Sequence, residues 1–508
     1  MEIIQKILTL LQYNPKEPLL FTTGLFLFLF LFVALGYFAL RKKLTARLLF
    51  VTLFSYYFLY KSSGLYFCLL AVVTISDWLI AKKIAACGSD DDGEQLAPND
   101  PDNLLRDSAR QWLLLSLVID LGLLAYFKYT NFFAGLISQL INYNFQPWDI
   151  FLPAGISFFT FKSISYTIDV YRGKMKPVDS LLDYAFYVSF FPVLLAGPIV
   201  RATDFVPQIR KPISISRKMF AFGVYLIMTG LLKKLVISDY ISVNFVSRVF
   251  DNPTLFSGGE ILMGLYGYSI QLYCDFSGYS DMAIGISALL GFKIPMNFNA
   301  PYKADSLSDF WRRWHISLSS WIRDYIYISL GGNRKGKVRM YINQMVAMVL
   351  CGLWHGASLN FVLWGTLHGL GVCIHKFFSQ TVLHHDRHYH PSGIRRFVAV
   401  LLTFHLVTFL WIFFRAQDFT AATIIINQLV TKFDVTLFPA IFSAYKFVFA
   451  FMAIALIAHW MPDSWQDKIV LGLERGGVVV CAIALAFVIF IAMQVKSSDI
   501  QPFIYLQF

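Results

Sequence analysis

From Leu19 to Leu40 the chain reads LLFTTGLFLFLFLFVALGYFAL, 22 residues without one charge. A helix of that length crosses the hydrocarbon core of a bilayer. It exceeds a signal-peptide apolar segment and has no small-residue cleavage site, so it reads as a retained first span. Comparable runs recur to IVLGLERGGVVVCAIALAFVIFIAMQV near the end. At about 20 residues per crossing they amount to roughly ten to twelve spans. With 57% hydrophobic and 15% charged residues, no soluble globular domain is compatible with the chain. The fold class is therefore an all-α polytopic membrane protein.

The net charge of +12 fits cytoplasmic loops that follow the positive-inside bias, so nucleic acid is not an expected partner. Basic clusters border apolar runs, as in ALRKKLTAR (39–47) and LGGNRKGKVR (330–339). The six cysteines show neither a CxxC pair nor regular spacing, which favours thiols over disulfides or zinc. One integral-membrane domain is expected over 1–508. N-terminal spans occupy 19–84, a polar loop 85–110, a catalytic core 150–378 and C-terminal spans 396–497. The first span places the N-terminus outside if Arg41–Lys43 and Lys82–Lys83 are both cytoplasmic. Segments 171–176 and 201–218 are then both basic, with only LLDYAFYVSFFPVLLAGPI (181–199) and its two prolines between them. That run is expected to dip in and return, giving a thinned, non-spanning centre covered by protein.

DSLSDFWRRWHISLSSWIRDYIYISLGG (305–332) reads as one interfacial or partly inserted helix, capped by Ser306 with Asp309 and ended by Gly331–Gly332. Phe310, Trp314, Leu318, Trp321 and Tyr325 share one face. Its charged residues are costly at the bilayer centre. MVLCGLWHGASLNFVLWGTLHG is nearly all apolar, yet His355 lies inside it. An ionisable residue there is functional by default, although a neutral imidazole bonded to a carbonyl would equally hold two helices together. Gly352 and Gly356 beside it admit either a substrate chain or close helix packing. His368 and His375 share a helical face but lack the convergent acids or cysteines of a metal site, so they suit packing or lining. His384 and His388 of the loop HHDRHYH (384–390) have the i, i+4 spacing of metal ligands, but in a polar loop of mixed charge. No metal is expected.

A lone buried imidazole suits acyl transfer from a thioester to an alcohol. The thioester is already activated, so a neutral base that removes the hydroxyl proton suffices. A transporter or flippase for a glycan or acyl carrier, with His355 as proton relay, is the alternative. It would be expected to carry internal repeats or paired acids, and no repeat is visible.

Four segments carry a resemblance: GISFFTFKSISYTIDVYRG (155–173), YCDFSGYSDMAIGIS (273–287), NFNAPYKADSLSDFWRRWHISLSSWIRDYIYISLGGNRKG (297–336) and LWHGASLNFVLWGTLHG (353–369). In that order they resemble the membrane-bound O-acyltransferase family, in its bacterial alginate O-acetyltransferase-like branch. The resemblance implies His355 as catalytic base and His315 as the second catalytic position. It implies spanning helices around a thinned core, open outside by a funnel and toward the cytoplasm by a channel. Arg312, Arg313, Trp314, Trp354, Asp275 and Tyr279 become candidate substrate-binding residues. The first three would shape the inner mouth, with stacking or phospholipid contact equally open, and for Asp275 and Tyr279 a structural role is equally open. No retained cofactor is implied. The donor is a thioester, acetyl-coenzyme A or an acyl carrier protein. The acceptor is a hydroxyl of an exported polysaccharide or an extracytoplasmic partner acyltransferase, and the location is a bacterial inner membrane.

Overall fold

The computed structural model describes residues 2–87, 104–386, 389–495 and 503–504, so most of the polar loop expected at 85–110 lies outside the described residues. Among those described, every regular element is helical. Six helical stretches are long and apolar enough to cross a membrane, or seven if the bent pair Phe419–Thr431 and Val435–Ala444 is one span. The larger sequence count took every apolar run as a crossing. Several runs are shorter here, such as α1 (Gly24–Ala39), or joined, as α2 (Leu44–Ser63) is to α3 (Phe67–Cys87). Gly64, at φ +58, breaks that joined stretch where an L side chain would be strained. The chain is a multi-pass membrane protein.

Two compact units are present: Met1–Ser216 with Ile286–Ile294, and Arg217–Gly285 with Pro295–Phe508. The first contains α1 to α3, then α4 (Leu104–Leu124), α5 (Ile156–Tyr171) and α6 (Leu181–Ser189). Phe26, Phe54, Phe58 and Phe191 pack as one aromatic cluster, Phe54 meeting Phe191 edge-on at 5.0 Å. Helix α5 is covered on all sides, polar residues included: Lys162 Nζ donates to the Val188 carbonyl at 3.0 Å. Helix α6 begins at Ser180, whose hydroxyl accepts from the Asp183 N–H. It lasts nine residues, about 13 Å and too short to span. Phe190 to Val200 then run buried without a span, Pro192 contributing no N–H. Irregular backbone is thus covered by protein, as the basic segments on either side led one to expect.

The second unit holds α7 (Arg217–Leu231) and, as far as Gly285, α8 (Gly258–Leu289). These cross backbone to backbone: a Cβ on Gly230 would lie 2.6 Å from the Gly278 carbonyl, and one on Gly285 2.6 Å from the Gly223 carbonyl. Small residues at such a crossing let two apolar helices gain dispersion contacts that lipid would otherwise supply. Next come α9 (Leu307–Arg313), α10 (Ile316–Ile322), α11 (Lys337–His355), α12 (Leu359–Phe377), α13 (Gly393–Arg415), α14 (Lys446–Trp460) and α15 (Asp463–Val495). Helices α11 and α12 form a hairpin closed by glycines. Gly352 abuts the Phe361 carbonyl, with Gly365 Cα 3.0 Å from the place a Cβ would take. Gly356 abuts the Phe361 ring. These glycines serve packing in this hairpin, not an open path beside the imidazole. The six cysteines are free thiols.

Candidate active site

The segment 305–332 is not one helix. Ser306 caps it as expected, its hydroxyl accepting from the Asp309 N–H at 3.2 Å, but α9 stops at Arg313. His315 takes φ +43 and α10 starts afresh at Ile316. A non-glycine residue in that region costs on the order of 1–3 kcal/mol and persists only when its surroundings impose it. They do. The chain after α8 docks on the break: Ile316 N–H donates to the Asn297 carbonyl at 2.9 Å, and Asn299 N–H to the Arg313 carbonyl at 2.9 Å. Phe310, Trp314, Leu318, Trp321 and Tyr325 are all buried, so the apolar face read from the sequence survives the break.

Asn297 fixes the state of the His315 ring. Its side-chain oxygen accepts from Ser317 N–H at 3.1 Å and Ser317 Oγ at 2.9 Å, while its Nδ2 donates to Ser280 Oγ at 3.2 Å. A backbone N–H can only donate, so the atom facing it is the oxygen. His315 Nδ1, 3.2 Å from that same oxygen, must therefore carry a proton, and the neutral ring presents its lone pair at Nε2. The ring is wholly buried and meets Phe276 edge-on at 4.7 Å. Asn297→Ala is expected to leave these donors short of an acceptor, costing about 1–3 kcal/mol. The measurements are thermal unfolding in detergent and transfer kinetics, with kcat falling while KM for the thioester holds.

His355 closes α11 rather than sitting mid-helix, and Gly356 leaves in an extended conformation. Its ring is 3% exposed, enclosed by Trp354 at 4.9 Å, Trp364 at 5.1 Å and Phe414 at 5.2 Å. Trp354 also meets His315 at 5.9 Å, so one indole bridges the two imidazoles. Trp364 stacks on Trp411 at 5.6 Å and touches His368 at 4.7 Å. His368 Nδ1 accepts from the Trp311 indole at 3.3 Å, a packing role, whereas His375 is exposed.

A cavity of about 470 Å³ opens within this unit. Met348 and Cys351 line it, seven and four residues before His355, so it follows the α11 face that ends at the imidazole. Arg312, Arg323 and Lys376 supply positive charge, and hydroxyls come from Ser308, Ser319 and Ser320. Of the expected mouth residues only Arg312 reaches this cavity. Arg313 donates to Asp309 at 2.8 Å, and Trp314 is fully buried against Phe298, Phe310 and Trp411.

Asp275 and Tyr279 are held elsewhere in the unit. Asp275 accepts from Lys234 Nζ at 2.6 Å and from Ile504 N–H at 2.9 Å, and Lys234 also meets Asp239 at 2.8 Å. Tyr279 packs edge-on against Phe503 at 4.4 Å. From the same stretch of α8 it is Phe276 and Ser280, also four apart, that serve the His315 seat. Among the described residues, one His and Asp group has ligand spacing: Asp305, Asp309 and His390. His390 Nδ1 lies 2.6 Å from Asp305, and Asp309 is engaged by Arg313. His388 lies outside the described residues.

The profile of the membrane-bound O-acyltransferase family, MBOAT, matches residues 178–413, which include both histidines. The chain is 36% identical to the probable alginate O-acetylase AlgI of Pseudomonas aeruginosa, over 92% of this chain and 81% of that protein. It is 36% identical to a peptidoglycan O-acetyltransferase of Helicobacter pylori, over 81% of this chain and 80% of that one. A teichoic acid D-alanyltransferase of Bacillus subtilis is 30% identical over 54% of this chain and 71% of its own. With buried histidines on a broken helix and a helical hairpin, and relatives matched over most of its length, this chain is a multi-pass acyltransferase that belongs to the membrane-bound O-acyltransferase family.

Proposed function

We propose that the protein moves an acyl group, acetyl in the first instance, from a cytoplasmic thioester to a hydroxyl of an exported envelope polysaccharide, or to an extracytoplasmic partner acyltransferase. The setting is a bacterial inner membrane, with the catalytic core in 150–378. The observation that carries this reading is the cavity lined by Gln344, Ala347, Met348 and Cys351 of α11, whose nearest wall residue, Cys351, stands one helical turn before His355. Coenzyme A and the prosthetic arm of an acyl carrier protein are both anionic chains with amides. Arg312, Arg323 and Lys376 attract the phosphates, and Gln344 with the three serines faces the amides. The relatives act, by their names, on alginate, peptidoglycan and teichoic acid, all of them envelope polymers.

In the reaction, His355 accepts the proton of the acceptor hydroxyl as that oxygen attacks the thioester carbonyl. The C–S bond then breaks, the thiolate takes the proton back, and ester and thiol leave. Positive charge on the ring is favoured by the carbonyls of the last turn of α11, to which His355 belongs. Neutral His315 presents a lone pair, so it orients the hydroxyl by accepting from it. Donation to the oxyanion would require its protonated form.

The test offers the purified protein labelled acetyl-coenzyme A or acetyl-carrier protein with alginate, peptidoglycan or teichoic acid. Label is expected in an ester on one polymer, with one thiol released per ester. Thiol release that never depends on an acceptor, or no turnover with any donor, would overturn the reading.

A further inference from the structure

A second cavity, of about 580 Å³, lies between α13 and α14 in the second unit, lined also by Tyr302 and Lys303. Its wall is apolar and directional. Phe397, Val400, Leu401 and Phe404 line it at i, i+3, i+4 and i+7, one face of α13 extending about 10 Å along the helix. Opposite stand Leu456 and Trp460 of α14, a helix of apolar composition. Phe397 is 64% exposed and Trp460 52%, so this wall is uncovered by protein.

The lining also carries two cations, Arg396 one residue before that wall on α13 and Lys303, whose Nζ donates to the Met461 carbonyl just beyond α14 at 3.2 Å. Gly393, the first residue of α13, lines the cavity too, and no side-chain hydrogen bond from Ser392 caps that helix. First-turn N–H groups and a helix dipole add to the two cations there. No acidic side chain is among the lining residues described. Trp460, the last residue of α14 and next to the Met461 that holds Lys303, is of the type that settles at the membrane–water boundary.

We infer that this groove is a binding site for an anionic phospholipid, its headgroup phosphate held by Lys303, Arg396 and the start of α13, and an acyl chain lying along Phe397–Phe404. The charge complementarity selects an anion, and the apolar wall requires that the anion carry hydrocarbon. A glycan would leave its hydroxyls unpaired against that wall. The site is separate from the donor cavity and independent of the acyl-transfer reading. Its floor is Tyr302, whose ring meets Phe404 at 5.2 Å and Trp314 at 6.3 Å. A bound lipid would therefore buttress the segment that carries His315.

The test uses the full-length protein, delipidated in detergent. Phosphatidylglycerol, phosphatidylethanolamine or inorganic phosphate is added, followed by native mass spectrometry and thermal unfolding. Phosphatidylglycerol is expected to bind and raise the melting temperature, phosphatidylethanolamine much less, and phosphate alone not at all. Lys303→Gln with Arg396→Gln should weaken phosphatidylglycerol by roughly 25-fold, about fivefold per lost cation. Arg395→Gln, one residue off the lining, should leave binding close to wild type. If the double variant does not fold, a photoreactive phosphatidylglycerol on the wild type should label residues of α13 or α14 at this cavity. Equal binding of both lipids, an equal loss with Arg395→Gln, stabilisation by phosphate alone, or labelling confined to other helices would overturn the proposal.

Discussion

His355→Gln is expected to lower acyl transfer by about 10² to 10⁴-fold, the usual weight of a positioned general base. The melting temperature in detergent should move by only a few degrees. Glutamine keeps a polar, hydrogen-bonding end of similar reach but cannot take up a proton near neutral pH. The cage of Trp354, Trp364 and Phe414 is built from residues that stay in place. Thioester binding should be almost unaffected, because the cavity lining begins at Cys351 and runs away from the ring. A fall in kcat with KM for the donor unchanged is therefore the signature, and it marks an interaction realised only in the transition state. If activity and stability fall together, His355 is a packing residue and the proposed base must be sought elsewhere. His315→Gln added to His355→Gln should cost little more than the first change alone, since groups that act as a unit are not additive.

Much of this was legible before any coordinates. Charge-free runs announced a membrane protein, and paired basic segments around 181–199 announced a centre that does not span. Ser306 with Asp309 announced a helix start. Those signals are local, and local physics decides them. The break at His315 was not legible. Its cause is Asn297, eighteen residues upstream, whose carbonyl and amide oxygens replace helical bonds at Ile316 and Ser317. Nothing in the helical periodicity of 305–332 carries that information. The placement of His355 at a helix end was likewise hidden. Gly352 in the sequence fits substrate room and helix packing equally, and it is Gly365 and Phe361 of α12 against it that decide for packing. Within 273–287 a charge and a hydroxyl make Asp275 and Tyr279 the conspicuous pair, while Phe276 and Ser280 are the residues that stand at the imidazole seat.

Asp275 leads to the largest expected effect on stability. Lys234 is 99% shielded on its side chain, with Asp275 at 2.6 Å and Asp239 at 2.8 Å. Lys234→Met removes the cation and leaves two buried carboxylates facing each other. Breaking a buried ion pair from one side costs about 3–5 kcal/mol, against a total folding stability of about 5–15 kcal/mol. The variant is expected to be recovered at low yield, with a melting temperature lowered by more than that of any other single change considered above. Neutralising the carboxylates in the same background, with Asp239→Asn and Asp275→Asn, should restore much of the loss, because amides of the same shape carry no charge to desolvate. The comparison separates two roles for Asp275. If it is structural, Asp275→Asn alone weakens the protein and leaves the kinetics of the folded fraction normal. If it lines a substrate path, that variant folds well and transfers poorly. The bond from Ile504 N–H to the second carboxylate oxygen, with Phe503 against Tyr279 and 4.7 Å from Lys234 Nζ, favours the structural outcome. Both oxygens of Asp275 are already engaged by the protein itself, leaving the carboxylate little capacity to bind anything in transit.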